Sequence, residues 1–323
     1  MNQLNDIDSR SVGLSILRAL IEKIPHKLLS LVIEPFSTIN KDSSTMCRKE
    51  VCLLIGHLAL HRATTPLFFK KYLLKLIRNL SKRAADSDAR VRTACAQSVA
   101  QLTKQCVGCQ QNDDTLKRQF LDKMLKSLSK SVEKGISPHS ISGNLQCLSS
   151  LVLSAAHALH STQIEAICEC ITGATPSKRH PQCHIAILVC IEKLLRVGHE
   201  AFAHSVHFTP SLAILIDALT SNDWNVRLQA VSAVRCLGES RLHQNNLSLP
   251  KIEAVRDEIM AHLDRLKFDK ISNVRKAAAD TLAIWNERDL DELEEDQQNM
   301  DELEQLPEPA PELPHLSRAP AVV

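Results

Sequence analysis

The chain has 323 residues, with 39 lysines and arginines against 37 aspartates and glutamates, for a formal net charge of +2. At 44% apolar and 24% charged residues it is too hydrophobic for wholesale disorder. Only 8 glycines, 7 Phe, 2 Trp and 1 Tyr are present, too few for the aromatic strands and glycine-rich turns of sandwiches, barrels and propellers.

No apolar run approaches the roughly 20 residues that cross a bilayer. The opening MNQLNDID is polar, without the apolar stretch of a secretory signal. A soluble, intracellular protein with no membrane partner is expected.

In chain order, the first amphipathic segment is Arg10–Ile24, with Val12, Ile16, Ala19 and Leu20 on one face. Six pairs of segments follow. Lys27–Ser37 precedes MCRKEVCLLIGHL, and Leu67–Lys82 precedes ARVRTACAQSVAQL. Thr115–Lys134 leads to Asn144–Leu159, and Thr162–Thr172 to Gln182–Leu195. Ser211–Thr220 precedes NVRLQAVSAVRCL, and Ile252–Phe268 precedes NVRKAAADTLAIW.

Four of the second members align on an apolar residue followed by arginine: Cys47-Arg48, Val91-Arg92, Val226-Arg227 and Val274-Arg275. Four residues on stand Val51, Cys95, Ala230 and Ala278; at eight stand Ile55, Val99, Val234 and Leu282; at eleven stand Leu58, Leu102, Leu237 and Trp285. Offsets of 4, 8 and 11 fall on one face of a 3.6-residue helix. The starts are 44, 135 and 48 residues apart, and 135 is three times 45, so two degenerate repeats fill the gap.

Helix pairs at this period are the HEAT/armadillo unit, whose members bury their apolar faces only by stacking. The fold expected is an all-α solenoid of about seven helix pairs. Asp88 and Asp223, three residues before Val91 and Val226, are expected N-caps. The recurrent Arg92, Arg227 and Arg275 suggest a repeat-to-repeat ladder with Asp88, Asp223 and Asp269.

The composition changes at Asp289. Residues 289–323 hold 11 acidic residues and Arg318 alone as a base, a charge of −10, and end in a proline-containing stretch. Residues 1–288 hold 38 basic against 26 acidic residues, a charge of +12. Two parts are expected: a solenoid over 1–288 and a disordered acidic tail over 289–323.

The eleven cysteines are an odd number, and most occupy apolar helical positions, which suits reduced structural thiols. Cys106 and Cys109 have metal-like spacing but no matching second pair. No metal site and no cofactor are expected. The chain has no GxGxxG, GxSxG, Walker or HExxH pattern, and one His-Glu dipeptide, His199-Glu200, so no enzyme is expected.

In such a solenoid the turns inside repeats line one edge. Here those turns carry Lys41, Arg48, Lys49, Lys82, Arg83, Arg90, Lys134, Lys178, Arg179, Lys267, Lys270 and Lys276, together with Trp224. A row of one sign fits an extended acidic partner and salt-dependent binding. Aromatics for stacking on single strands are few, so nucleic acid is not expected as the partner.

The segment SNDWNVRLQAVSAVRCLGES followed by LKFDKISNVRKAAADTLAIWNER resembles the end of the helical-repeat domain of Tortifolia/Spiral-type plant microtubule-associated proteins. The start, LNDIDSRSVGLSILRALIEKI with the CRKEVCLLIGHLA helix and the DSDARVR turn, is also similar, and the resemblance runs over residues 1–287.

It implies a TOG-like HEAT-repeat domain in the cytoplasm, on the microtubule cytoskeleton, cortical microtubules included. The domain would bind tubulin or the lattice through intra-repeat turns and regulate microtubule organisation or dynamics, with other cytoskeletal proteins as further partners. The contact residues expected on that basis are Lys41, Arg48, Lys49, Arg83, Arg90, Lys178, Arg179, Trp224, Lys267 and Lys270. The first turn, Asp6-Ile7-Asp8-Ser9, lacks the tryptophan typical of tubulin-capturing TOG domains, which favours the lattice over free tubulin. The alternative is a HEAT-repeat scaffold or adaptor not bound to microtubules.

Overall fold

The computed structural model describes residues 8–39, 43–62, 68, 71–109, 113–174, 180–197, 200–243 and 249–286. Regular structure among them is helical throughout, and none of these helices is long and apolar enough to cross a membrane. The chain divides into Met1–Ile284 and Trp285–Val323. The repeat architecture belongs to the first unit.

The helices are α1 (Arg10–Lys23), α2 (Leu29–Thr38), α3 (Thr45–Arg62), α4 (Leu73–Ala84), α5 (Ala89–Gly108), α6 (Asp114–Glu133) and α7 (Pro138–Ala155). They continue with α8 (Ser161–Gly173), α9 (Pro181–Val197), α10 (Glu200–His204), α11 (Phe208–Leu219), α12 (Trp224–His243) and α13 (Leu249–Leu266). A last helix, α14, covers residues 272–286. The sequence places these as six antiparallel pairs behind a leading helix, with the short α10 inserted before α11.

Two rows result. Helices α1, α3, α5, α7, α9 and α12 pack successively on one another, and α2, α4, α6, α8, α11 and α13 form the second row. The aligned stripe is the reason. Cys47, Val51, Ile55 and Leu58, and likewise Val91, Cys95, Val99 and Leu102, are fully buried. Of the aligned set only Leu282 is half-exposed. Each large aliphatic removed from water contributes about 1.5–3 kcal/mol, so the stripe favours stacking at every repeat.

Small residues let the first row approach closely enough for side chains to reach a neighbour's backbone. Ser98 Oγ donates to the Cys52 carbonyl at 2.5 Å, Cys190 Sγ to that of Leu145 at 3.1 Å, and Ser240 Oγ to that of Leu195 at 3.4 Å. Each step is about 45 residues, one repeat. All eleven cysteines are free, and all but the half-buried Cys109 are buried. Burial pushes up the thiols of Cys106, Cys168 and Cys190, that of Cys168 to about 12.

Two expectations change. In α1 the stripe Val12, Ile16 and Leu20 is exposed, while Gly13 and Ile21 are buried. The helix is turned by about one residue, roughly 100°, because among the described residues no antiparallel partner precedes it. The helix expected over 144–159 runs over Pro138–Ala155 instead. Pro138 sits in its first turn, Ser137 caps it, and Ala156 stops it with a φ of 38°.

Candidate binding edge

The turns leading from the second row into the first share one construction. The expected caps are present: Asp88 Oδ1 accepts from the Arg90 amide and Asp223 Oδ1 from the Asn225 amide, both at 2.8 Å. The arginine after the first core position folds back over its own turn. Arg92 Nη1 donates to the carbonyls of Asp86 and Ser87, both at 2.8 Å, and Arg227 Nη1 to those of Ser221 and Asn222 at 2.7 and 3.1 Å. Arg275 repeats this on Asp269 and Lys270 at 2.8 and 3.1 Å. These carbonyls lie in the turn beyond the preceding helix, where no helical ladder pairs them, and one guanidinium group satisfies two at once, which explains the recurrence.

Two arginines at this position of the repeat, Arg48 and Arg227, reach into the next turn. Arg48 Nε and Nη2 donate to Asp86 at 2.7 and 3.1 Å, and Arg227 Nε and Nη2 to Asp269 at 2.7 and 2.9 Å. Both are two-pronged, nearly buried ion pairs between consecutive repeats. The Arg227 hydrogen bond holds the Asp269 carboxyl below the usual aspartate range, against the opposing effect of burial.

The ladder is therefore real but differently paired. Of the three expected aspartates only Asp269 carries a rung, with Arg227, and the other rung joins Arg48 to Asp86 rather than Arg92 to Asp88. Asp88 instead holds Arg90, whose side chain lowers the Asp88 carboxyl to about 2. Among the described residues Arg92 meets carbonyls and no carboxylate.

This geometry sorts the expected contact residues. Arg83 is 6% exposed, its Nη2 donating to the Phe36 carbonyl at 2.7 Å and the Ile39 carbonyl at 3.4 Å. It is an internal staple between α4 and the end of α2, not an edge residue. Arg48 is likewise committed to Asp86. Lys49 is half-exposed beside Glu50, Arg90 is exposed and paired with Asp88, and Lys267 is paired with Asp264 at 2.6 Å. Lys82, Lys134, Lys270 and Lys276 are exposed along the edge. Lys41, Lys178 and Arg179 lie outside the described residues.

Trp224, 39% exposed, opens α12 beside its cap Asp223. Two apolar edge residues escape the sequence reading: Ile136, 100% exposed, and Phe268, 81% exposed. Both stand in turns near lysines, Ile136 two residues after Lys134 and Phe268 next to Lys267. Periodicity cannot distinguish such a residue from the end of a buried stripe. Phe268, Lys270, Asn222, Arg227 and Arg265 border an open groove of about 500 Å³ between the last two turns of the row. The edge thus presents spaced cations with isolated apolar side chains between them.

Comparison with known proteins converges on one group. Over 301 residues the chain is 23% identical to "Microtubule-associated protein TORTIFOLIA1" of Arabidopsis thaliana, covering 88% of this chain and 31% of that protein. It is 22% identical over 296 residues to "TORTIFOLIA1-like protein 1" of the same plant, covering 88% and 33% respectively. The chain thus spans about a third of the length of these relatives. Among solved structures, the karyopherin Kap121p bound to RanGTP aligns with a TM-score of 0.69 at 16% identity, over 85% of this chain and 28% of Kap121p, a likeness of fold alone. The family description TORTIFOLIA1 N-terminal matches residues 1–287, and the chain belongs to that family.

Proposed function

We propose that this protein is a non-enzymatic, microtubule-associated HEAT-repeat protein that binds the lattice through the edge of intra-repeat turns. The observation that carries the reading is family membership over 1–287 with relatives named for microtubule association. The exposed row Lys82, Arg90, Lys134, Lys270 and Lys276 supports the edge as the contact surface. Tubulin's outer surface is acidic, so contacts there are charge-assisted. Each exposed pair is worth roughly 0.2–1 kcal/mol, so affinity comes from several acting together. A TOG-like mode of contact, cortical microtubules and a cytoskeletal location belong to the same reading. Residues 289–323, which lie outside the described residues and carry a charge of −10, are read as a part separate from the solenoid.

Co-sedimentation with stabilised microtubules at two salt concentrations tests this. Wild-type protein should pellet at low salt and release as salt rises. The triple reversal Lys82→Glu, Lys134→Glu and Lys270→Glu should abolish pelleting with an unchanged helical circular-dichroism spectrum, while each single reversal weakens it only slightly. Undiminished binding by the triple variant would move the site to another face. Absence of wild-type binding at low salt would favour the scaffold alternative.

A further inference from the structure

On the other side of the repeats from the basic edge, toward the C-terminal ends of α1 and α3, three potential ligands converge. Helix α3 presents His57 and His61 one turn apart, with ring centroids 4.5 Å apart. Glu22 of α1 faces both, its Oε1 lying 3.3 Å from His57 Nε2 and 3.7 Å from His61 Nε2. One ligand atom from each residue lies within 4.8 Å of the other two. With metal–nitrogen and metal–oxygen bonds of about 2.0–2.2 Å, the edges of a tetrahedral site are roughly 3.3–3.6 Å. The two measured edges bracket that range.

The orientation of the His57 ring strengthens the case. Its Nε2 is buried without a hydrogen-bond partner, and the ring bonds to the Arg18 backbone. With Nε2 unpartnered, the bond to that carbonyl is assigned to Nδ1–H, which turns Nε2 toward the Glu22 carboxylate. A contact of 3.3 Å between this nitrogen and the carboxylate calls for a positive charge on or between them, a proton or a metal ion. An N–H bonded to a backbone carbonyl is also the usual outer support of a ligating histidine.

We propose that Glu22, His57 and His61 form a site for a zinc-like divalent metal ion that clips α1 onto α3. Imidazole with carboxylate suits zinc and its d-block neighbours rather than calcium or magnesium. Three protein ligands leave one position for water. The clip has a mechanical purpose: α1 leads the stack without an antiparallel partner among the described residues and shows Val12, Ile16 and Leu20 to solvent. Its hold on α3 is otherwise slender, and a metal bridging the two helices would lock it.

The test uses the full chain with Zn²⁺ and, as a spectroscopic stand-in, Co²⁺. Titration calorimetry should show one zinc equivalent, and bound cobalt should give visible absorption of tetrahedral nitrogen and oxygen ligation. His61→Ala and Glu22→Gln, both at solvent-accessible positions, should each weaken binding roughly tenfold or more, the size that even outer-shell losses carry. Hydrogen exchange of α1 amides should slow with zinc in the wild type and not in these variants. Cys109→Ser should bind as wild type does. Absence of a zinc equivalent, equal binding by His61→Ala and Glu22→Gln, or its loss in Cys109→Ser would each overturn the proposal.

Discussion

Two kinds of junction hold consecutive repeats together at the turn edge. Between α3 and α5, and between α12 and α14, an arginine of one repeat grips an aspartate of the next, as Arg48–Asp86 and Arg227–Asp269. Between α5 and α7 the equivalent Arg92 has no such aspartate, and the following turn offers Gly135 and Ile136 instead. There the backbones close in. A Cβ placed on Gly143 of α7 would lie 1.8 Å from the Ala84 carbonyl oxygen and 2.6 Å from Arg92 Cδ. The contrast teaches that a repeat interface needs a filled, satisfied contact rather than a particular one. Where the charge pair is missing, a glycine lets the helix itself occupy the space.

The sharpest way to break the comparison is Gly143→Ala. In an open helix this change would gain about 1 kcal/mol from propensity. Here the clash is with backbone, which cannot swing aside, so a net destabilisation of about 3 kcal/mol is expected in chemical denaturation. A neutral result would show that the middle junction is not tightly closed.

Asp269→Asn should cost about 2 kcal/mol, because it leaves the Arg227 guanidinium half-buried without its anion. The pH dependence follows from the depressed Asp269 carboxyl. A group whose folded-state pKa lies below its unfolded value of about 3.9 contributes fully above that value. The contribution is lost as pH falls through the depressed one. Wild-type melting temperature should therefore drop more steeply below about pH 4 than that of Asp269→Asn. Parallel curves would remove Asp269 from the acid response.

The smallest effect is expected at the cap of α7. Ser137 Oγ accepts from the Ser140 amide at 3.2 Å, and Ser137→Ala should cost about 1 kcal/mol in the same denaturation experiment. It perturbs the start of α7 while leaving the Gly143 contact intact, and so separates capping from close approach within one junction.

The helix pairs, their period and the buried stripe were legible in the sequence, since 3.6-residue periodicity reports burial directly. The caps Asp88 and Asp223 were legible for the same reason: their chemistry is local. What periodicity cannot see is which charged residue turns inward. Arg83 reads as one more basic turn residue, and only the position of the α2 carbonyls beside it makes it a staple. The ladder was half legible, because both Asp86 and Asp88 stand in the turn and the choice between them is made by the geometry of the preceding repeat. The leading helix misled for lack of a partner. His57 and His61 carried a signal in their four-residue spacing, but Glu22 lies 35 positions before His57 and only the packing of α1 on α3 joins them.

The buried thiols make the chain a recorder of its own breathing. Ten of eleven cysteines are sealed inside helix contacts and spread from Cys47 to Cys236, with Cys109 alone partly accessible. A thiol reagent can reach a sealed sulfur only when its repeat opens, so labelling rate at each cysteine measures the local opening free energy there. One rapid modification followed by a graded series would chart, repeat by repeat, which junctions part first. Such a chart would need no probe to be engineered into the protein.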